Sequence, residues 1–172
     1  KQIGNLVNEF SDFARMPKPT MRENDIVILI RENIKLLKEL DDTIVIELST
    51  NPEKIILNSD KEQISRVFLN LIKNSIESIQ QKAKNNSNFN KIIAIELTEN
   101  DVHISLVIID NGIGFGKFSE NIKDILNPYF TTKKNGTGLG LSIVNKIIND
   151  HNGKIEFIPR NDGAVIKVNF LK

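Results

Sequence analysis

Between Asp60 and Lys84 the apolar residues Ile64, Val67, Phe68, Leu71, Ile72, Ile76 and Ile79 gather on one side at 100° per residue. Gln63, Asn70, Lys73, Asn74 and Glu77 gather on the other. A long helix with one apolar stripe needs a layer to lie on, and Asp60 is placed to cap its start. The rest of the chain supplies that layer. Ile44 to Ser49, Lys54 to Leu57, Lys91 to Thr98, Val102 to Asp110, Lys154 to Pro159 and Ala164 to Leu171 read as strands. Glu99-Asn100-Asp101 and Asn161-Asp162-Gly163 are the turns of two antiparallel pairs. Further helices are expected from Val27 to Leu40 and from Leu139 to His151, the second ended by Asn152-Gly153. The pattern predicts an α+β two-layer sandwich with an at least partly antiparallel sheet.

Ahead of this domain, Ile3, Leu6 or Val7, Phe10, and Phe13 or Ala14 have the spacing of an amphipathic, coiled-coil-like helix. Met16-Pro17-Lys18-Pro19 stops it, because a residue before proline is pushed out of the helical region. The expected organisation is a helical stub over residues 1–16, a linker over 17–24 and one domain over 25–172. The chain starts at Lys1 rather than methionine and reads as a piece of something longer.

Charge narrows the partners. Lys plus Arg number 23 against 22 Asp plus Glu, a net +1, so neither nucleic acid nor an anionic membrane surface is expected as a partner. Any anion must be held locally. With no cysteine, thiolate metal sites are excluded, and with two histidines multi-histidine sites are not expected. The longest mainly apolar run, Val102 to Ile109, is far short of the roughly 20 residues that span a bilayer.

Four groups of residues can carry chemistry. Asparagine is a poor helix-interior residue, yet Asn70 and Asn74 stand one turn apart on the polar face of the long helix. They are either a solvated face or two amide oxygens aimed at a hard cation or polyphosphate. Mg²⁺ suits the latter, since it takes few protein oxygens and keeps phosphate and water. Asp110-Asn111-Gly112-Ile113-Gly114 leaves a buried strand. Asn-Gly alone is a hairpin signal, but no strand pattern resumes after it. An aspartate there can accept from an exocyclic amine, which adenine has at its six position, where guanine has an oxygen instead. Gly136-Thr137-Gly138-Leu139-Gly140-Leu141 opens a helix whose free N–H groups and dipole can face phosphate. Just upstream, Tyr129-Phe130-Thr131-Thr132-Lys133-Lys134 offers hydroxyls and ammonium groups, and residues 111–138 as a whole have no obvious structure of their own. His103 and His151 read as structural.

Taken in order along the chain, Asn70 with Asn74, Asp110 to Gly114, Tyr129 to Lys133 and Gly136 to Gly140 resemble the N, G1, F and G2 boxes of sensor histidine kinases. The resemblance covers nearly the whole chain and implies the Bergerat ATP-binding fold of gyrase, Hsp90 and MutL, a mixed sheet covered by helices on one face, with ATP under a mobile lid. It implies that Asn74 ligates Mg²⁺ and that Asn70 and Lys73 act with it on the phosphates as the catalytic set. Asp110, with Gly112 and Gly114, would receive adenine, while Thr132, Lys133 and Gly136, Thr137, Gly138, Leu139, Gly140 and Leu141 would border the triphosphate. Glu9 to Pro19, Asn74-Ser75-Ile76-Glu77 and the Phe-Thr-Thr-Lys run are similar to nitrogen-regulation kinases of the NtrY and NtrB type. That branch implies γ-phosphoryl transfer to a histidine on a dimerisation helix, absent here, and onward to a response-regulator aspartate. It also implies a homodimeric parent anchored in the bacterial inner membrane, with this domain in the cytoplasm. Ser75 and Val165 stand where many relatives have alanine and threonine. A gyrase-like ATPase or clamp and a non-catalytic nucleotide-sensing module share the fold. The clamp enzymes have a water-activating glutamate where this chain has Asn70.

Overall fold

The computed structural model describes residues 16–39, 41–86, 88–115, 124–131 and 136–172. The helix expected over residues 1–15 lies outside the described residues, as do Thr132 and Lys133.

The first element corrects the sequence reading. Arg22–Asp25, taken as mostly linker, form strand β1, which pairs antiparallel with β3 (Ile56–Ser59) in a small sheet of its own. Asn24 Nδ2 donates to the Ser59 carbonyl at 2.7 Å, and Ile26 N–H donates to the Ile55 carbonyl at 2.9 Å. Asp25 then turns from strand to cap: its carboxylate accepts from Val27 and Ile28 N–H at the start of α1 (Ile26–Lys38).

The main sheet has five strands in the order β2-β4-β5-β7-β6, with β2 (Val45–Asn51), β4 (Ile92–Glu99), β5 (His103–Asp110), β6 (Gly153–Pro159) and β7 (Ala164–Leu171). β2 runs parallel to β4 and every other pair is antiparallel, so the sheet is mixed. Alternate residues point into the core as a half-buried sheet requires. Ile95 of β4, Ile108 of β5 and Ile166 of β7 stand opposite one another in register and are all buried.

Helices α1, α2 (Lys61–Asn85) and α3 (Gly140–Asp150) complete the second layer, with α2 packed against both of the others. All seven predicted stripe residues of α2 are buried. Gln63, read as part of the polar face, is buried too, and its Nε2 donates to the Pro17 carbonyl at 3.1 Å. Asp60 caps α2 as expected, accepting from Glu62 and Gln63 N–H at 3.0 and 3.1 Å. Asp60 N–H in turn donates to Nε2 of buried His151 at 3.0 Å, and His151 Nδ1 lies 2.8 Å from the Ile147 carbonyl. An accepting Nε2 leaves the proton on Nδ1. His151 is thus the structural tie between the start of α2 and the end of α3. No described helix is long and apolar enough to cross a membrane.

Candidate functional site

The site forms where β5 ends beside α2. Asp110 is the last residue of β5 and is 3% exposed. Its Oδ2 accepts from the Ser75 hydroxyl at 3.1 Å and its Oδ1 from Gly112 N–H at 2.9 Å. Burial pushes the carboxyl above the ordinary carboxylate range, while those two hydrogen bonds and the charges of Lys82 and Arg160 pull the other way without cancelling it. Two donors do not exhaust the carboxylate's lone pairs, so acceptor capacity remains for an amine.

The β5 exit is fastened on all sides. Gly112 lies so close to α2 that a Cβ there would stand 2.2 Å from Ser78 Oγ, and Ile113 N–H donates to the same hydroxyl at 3.0 Å. Gly114 has φ +66, and a Cβ on it would meet the Gly163 carbonyl oxygen at 2.4 Å. These two glycines were expected to let backbone approach a flat ring. What they directly permit is close packing of the chain on itself. Asn111 binds the exit to β4: its Oδ1 accepts from Ile92 N–H at 3.1 Å and its Nδ2 donates to the Asn90 carbonyl at 2.5 Å.

Across α2, Asn70 faces the start of α3. A Cβ at Gly140 would sit 3.4 Å from Asn70 Oδ1, while Asn70 Nδ2 donates back to the Arg66 carbonyl at 2.9 Å. Asn70 and Asn74 are half-buried and Lys73 is exposed. The glycine turn before α3 is locked to the aromatic segment. Tyr129 N–H donates to the Gly138 carbonyl at 3.0 Å, and at Gly138, with φ +71, a Cβ would stand 2.4 Å from the Tyr129 carbonyl carbon. Only glycine fits that contact. Leu139 is fully buried and anchors the turn; Leu141 packs partly against the core, Thr137 Oγ1 accepts from Leu139 N–H at 3.4 Å, and Gly136 is exposed. α3 follows its N-cap residue, Leu139, without a side-chain cap.

The structure therefore brings Asp110, Gly112 and Gly114 together on one side of α2, and Asn70 and Gly140 together on another. Sequence reasoning missed Ser75, Ser78, Lys82, Asp162 and Gly163, whose links to the site span long stretches of chain. Ser75 was noted only as a replacement for alanine. Among the described residues there is no cluster of three or more His, Cys, Asp or Glu side chains. A cation here would rest on amide oxygens and on its own ligand's phosphates.

Residues 59–172 match the model of the histidine kinase-, DNA gyrase B-, and HSP90-like ATPase family. A putative NtrY-like sensor histidine kinase from Rickettsia prowazekii is 37% identical over 169 residues, 98% of this chain and 27% of that protein. The nitrogen regulation protein NtrY of Azorhizobium caulinodans is 37% identical over 170 residues, 96% of this chain and 21% of that protein. This chain thus spans about a quarter of the length of those relatives. Among solved structures, the catalytic domain of histidine kinase ThkA superposes with a TM-score of 0.75 at 30% identity, covering 89% of this chain and 96% of that one. ThkA in complex with response regulator protein TrrA superposes at 0.79 with 25% identity, covering 99% of this chain and 47% of that one. With the mixed sheet, the buried strand-end aspartate and the facing glycine turn in place, the chain belongs to the family of histidine kinase-, DNA gyrase B- and HSP90-like ATPases, among its histidine kinase catalytic domains.

Proposed function

We propose that this domain binds ATP with Mg²⁺ and delivers the γ-phosphoryl group to a histidine on a dimerisation helix of its parent kinase, an NtrY-like homodimer anchored in the inner membrane with this domain in the cytoplasm. The observation that carries the reading is Asp110: a buried carboxylate, clamped by Ser75 and Gly112 at a strand exit, with lone pairs left for an exocyclic amine. An acceptor there favours adenine over guanine, whose six position is an oxygen.

The remaining assignments are those the resemblance to histidine kinases implies. Asn74 would hold Mg²⁺ through its amide oxygen, and Asn70 and Lys73 would face the phosphates from the same helix side. The cation, when bound, supplies charge neutralisation on the phosphate oxygens. The uncapped α3 start, with Gly136 to Leu141, would donate N–H groups to the triphosphate, joined by Thr132 and Lys133. In the transfer a histidine ring nitrogen forms a bond to the γ-phosphorus as the bond to the β,γ-bridging oxygen breaks. ADP leaves, and the ring gives up its other N–H proton. The nucleophile is the histidine itself, so the domain contributes positioning and electrostatics. The response regulator is the expected next acceptor, through an aspartate.

The test is calorimetric titration with ATP and GTP, with and without Mg²⁺, on the wild type, Asp110→Asn and Asn74→Asp, followed by phosphorylation of a separately supplied acceptor helix. Adenine-selective binding that is lost in Asp110→Asn and changes its Mg²⁺ dependence in Asn74→Asp supports the reading. A folded wild type that binds neither nucleotide refutes it in favour of a partner-binding module. Binding with ATP hydrolysis but no phosphohistidine points to the clamp-type ATPase.

A further inference from the structure

We propose that Lys82 is a positioning residue for adenine selectivity, its ammonium group holding the backbone that carries Asp110 by joining α2, the β5 exit and the β6–β7 turn. The proposal deepens the reading of Asp110 above and rests on it.

Lys82 lies near the end of α2. Its Nζ donates to the Asn111 carbonyl at 2.7 Å and forms an ion pair with Asp162 of the β6–β7 turn. The same ammonium stands 4.8 Å from the centre of the Phe89 ring. The Lys82 side chain is 22% exposed and that of Asp162 is 70% exposed. An ion pair with so exposed a partner adds little to stability. Its geometric effect is larger, because one group with three donors bonds two separate loops to one helix.

The turn it holds touches the site directly. At Gly163, next to Asp162, a Cβ would lie 1.8 Å from the Asp110 carbonyl oxygen, and the Gly163 carbonyl sits over Gly114. The β6–β7 turn is therefore seated on the peptide of Asp110 itself, and Lys82 is the side chain that fastens it to α2. Asp110 is already held from β4 through Asn111 and from α2 through Ser75. β7 still pairs with Asp110 through Ala164, so loss of the Lys82 contacts loosens the seat of the β6–β7 turn rather than the strand itself, and a carboxylate less sharply placed discriminates less between one ring edge and another.

Charge acts in the same direction. The groups that face the Asp110 carboxylate are Ser75 and Lys82 from α2 and Arg160 from the β6–β7 turn, with Asp162 paired to Lys82. Lys82 favours the ionised, accepting form against burial. Removing it moves the carboxyl further upward, so binding fails at a higher pH as the solution is acidified.

The experiment uses the 172-residue chain as wild type and as Lys82→Met, Lys82→Arg, Asp162→Asn and Asp110→Asn. Each is titrated with ATP and with ITP, which has a carbonyl in place of the six-amino group, across pH. Thermal melts establish folding. Lys82→Met is expected to lower the ATP-to-ITP preference about tenfold and to move the acid limb of ATP binding to higher pH, with Lys82→Arg restoring both. Asp162→Asn alters an exposed side chain and gives a smaller loss of preference, which serves as the readout if Lys82→Met does not fold. A folded Lys82→Met with wild-type preference and an unmoved acid limb overturns the proposal while leaving Asp110 in place. If Asp110→Asn itself keeps the wild-type preference, the adenine reading fails first and the proposal falls with it.

Discussion

A buried carboxylate works against the fold that holds it. The Asp110 carboxyl is pushed upward by burial, so folding disfavours its ionised form relative to the unfolded chain. For a raised carboxyl the contribution to stability is present below the unfolded-state pKa and is lost as pH rises through the folded one. The ionised form that accepts an amine is thus a cost borne for binding. Asp110→Asn keeps the shape, an acceptor for Gly112 N–H and a donor for the Ser75 hydroxyl. It should stabilise the domain by about 1 kcal/mol at pH 7, roughly 2–4 °C in melting temperature, while abolishing adenine preference. The gap should close as melts are repeated at falling pH; a variant less stable than wild type at pH 7 would contradict the assignment. Residues such as Asn70, Asp110 and Gly138 were legible because their types are odd for their places. Ser75 and Lys82 were not: a serine or lysine on a helix is ordinary until its partner, 35 or 29 positions away, is known.

Among the elements, the α2 cap and the G2 turn give separate predictions. Burial pushes the Asp60 carboxyl upward, but backbone N–H groups of Thr20, Gln63 and Glu62 and the nearby His151 outweigh it, so the net direction is down. A lowered carboxyl stabilises above its unfolded-state pKa, and that contribution is lost as pH falls through the folded value. Asp60→Ala should cost about 1 kcal/mol at pH 7, with the difference from wild type shrinking in acid, read by chemical denaturation at several pH values. In the G2 turn, Gly138→Ala places a methyl against the Tyr129 main chain at positive φ and should remove nucleotide binding. Gly140→Ala meets nothing closer than 3.4 Å and should fold normally, with a weaker effect on phosphate contacts. Equal losses in both variants would show that the turn is not the element at work. Most elements were legible through period and caps. β1 was not, because Arg22-Glu23-Asn24-Asp25 has no apolar alternation and becomes a strand only through its pairing with β3.

At the scale of the molecule, the sheet fixes where the site's ends meet. β7 lies between β5 and β6, and the register sets Asp110 opposite Ala164. Gly163→Ala would drive a methyl into the Asp110 carbonyl, so it should lower thermal stability and nucleotide affinity together, whereas a fault confined to the turn would lower stability alone. The mixed character of the sheet follows from one parallel pair, β2 with β4, which the strand patterns left open because alternation carries no direction.

β5 ends at Asp110 and the next strand of the sheet, β6, begins at Gly153, so residues 111–152 form a single excursion from the sheet between the two strands that flank β7. The entropy of closing such an excursion grows only as the logarithm of its length, about 0.6 kcal/mol for each doubling. Chain added between Gly114 and the buried Ile125 should therefore carry little closure penalty, because neither the packed Gly114 nor the Tyr129–Gly138 contact has to shift. The same few residues inserted into the tight turn where Asn100 N–H meets the His103 carbonyl at 2.9 Å would slip the β4–β5 register and turn its buried face outward. Length in this molecule is free where the nucleotide is expected and fixed where the sheet turns, so the span between the two glycine boxes is where the chain can change its binding kinetics while keeping its fold.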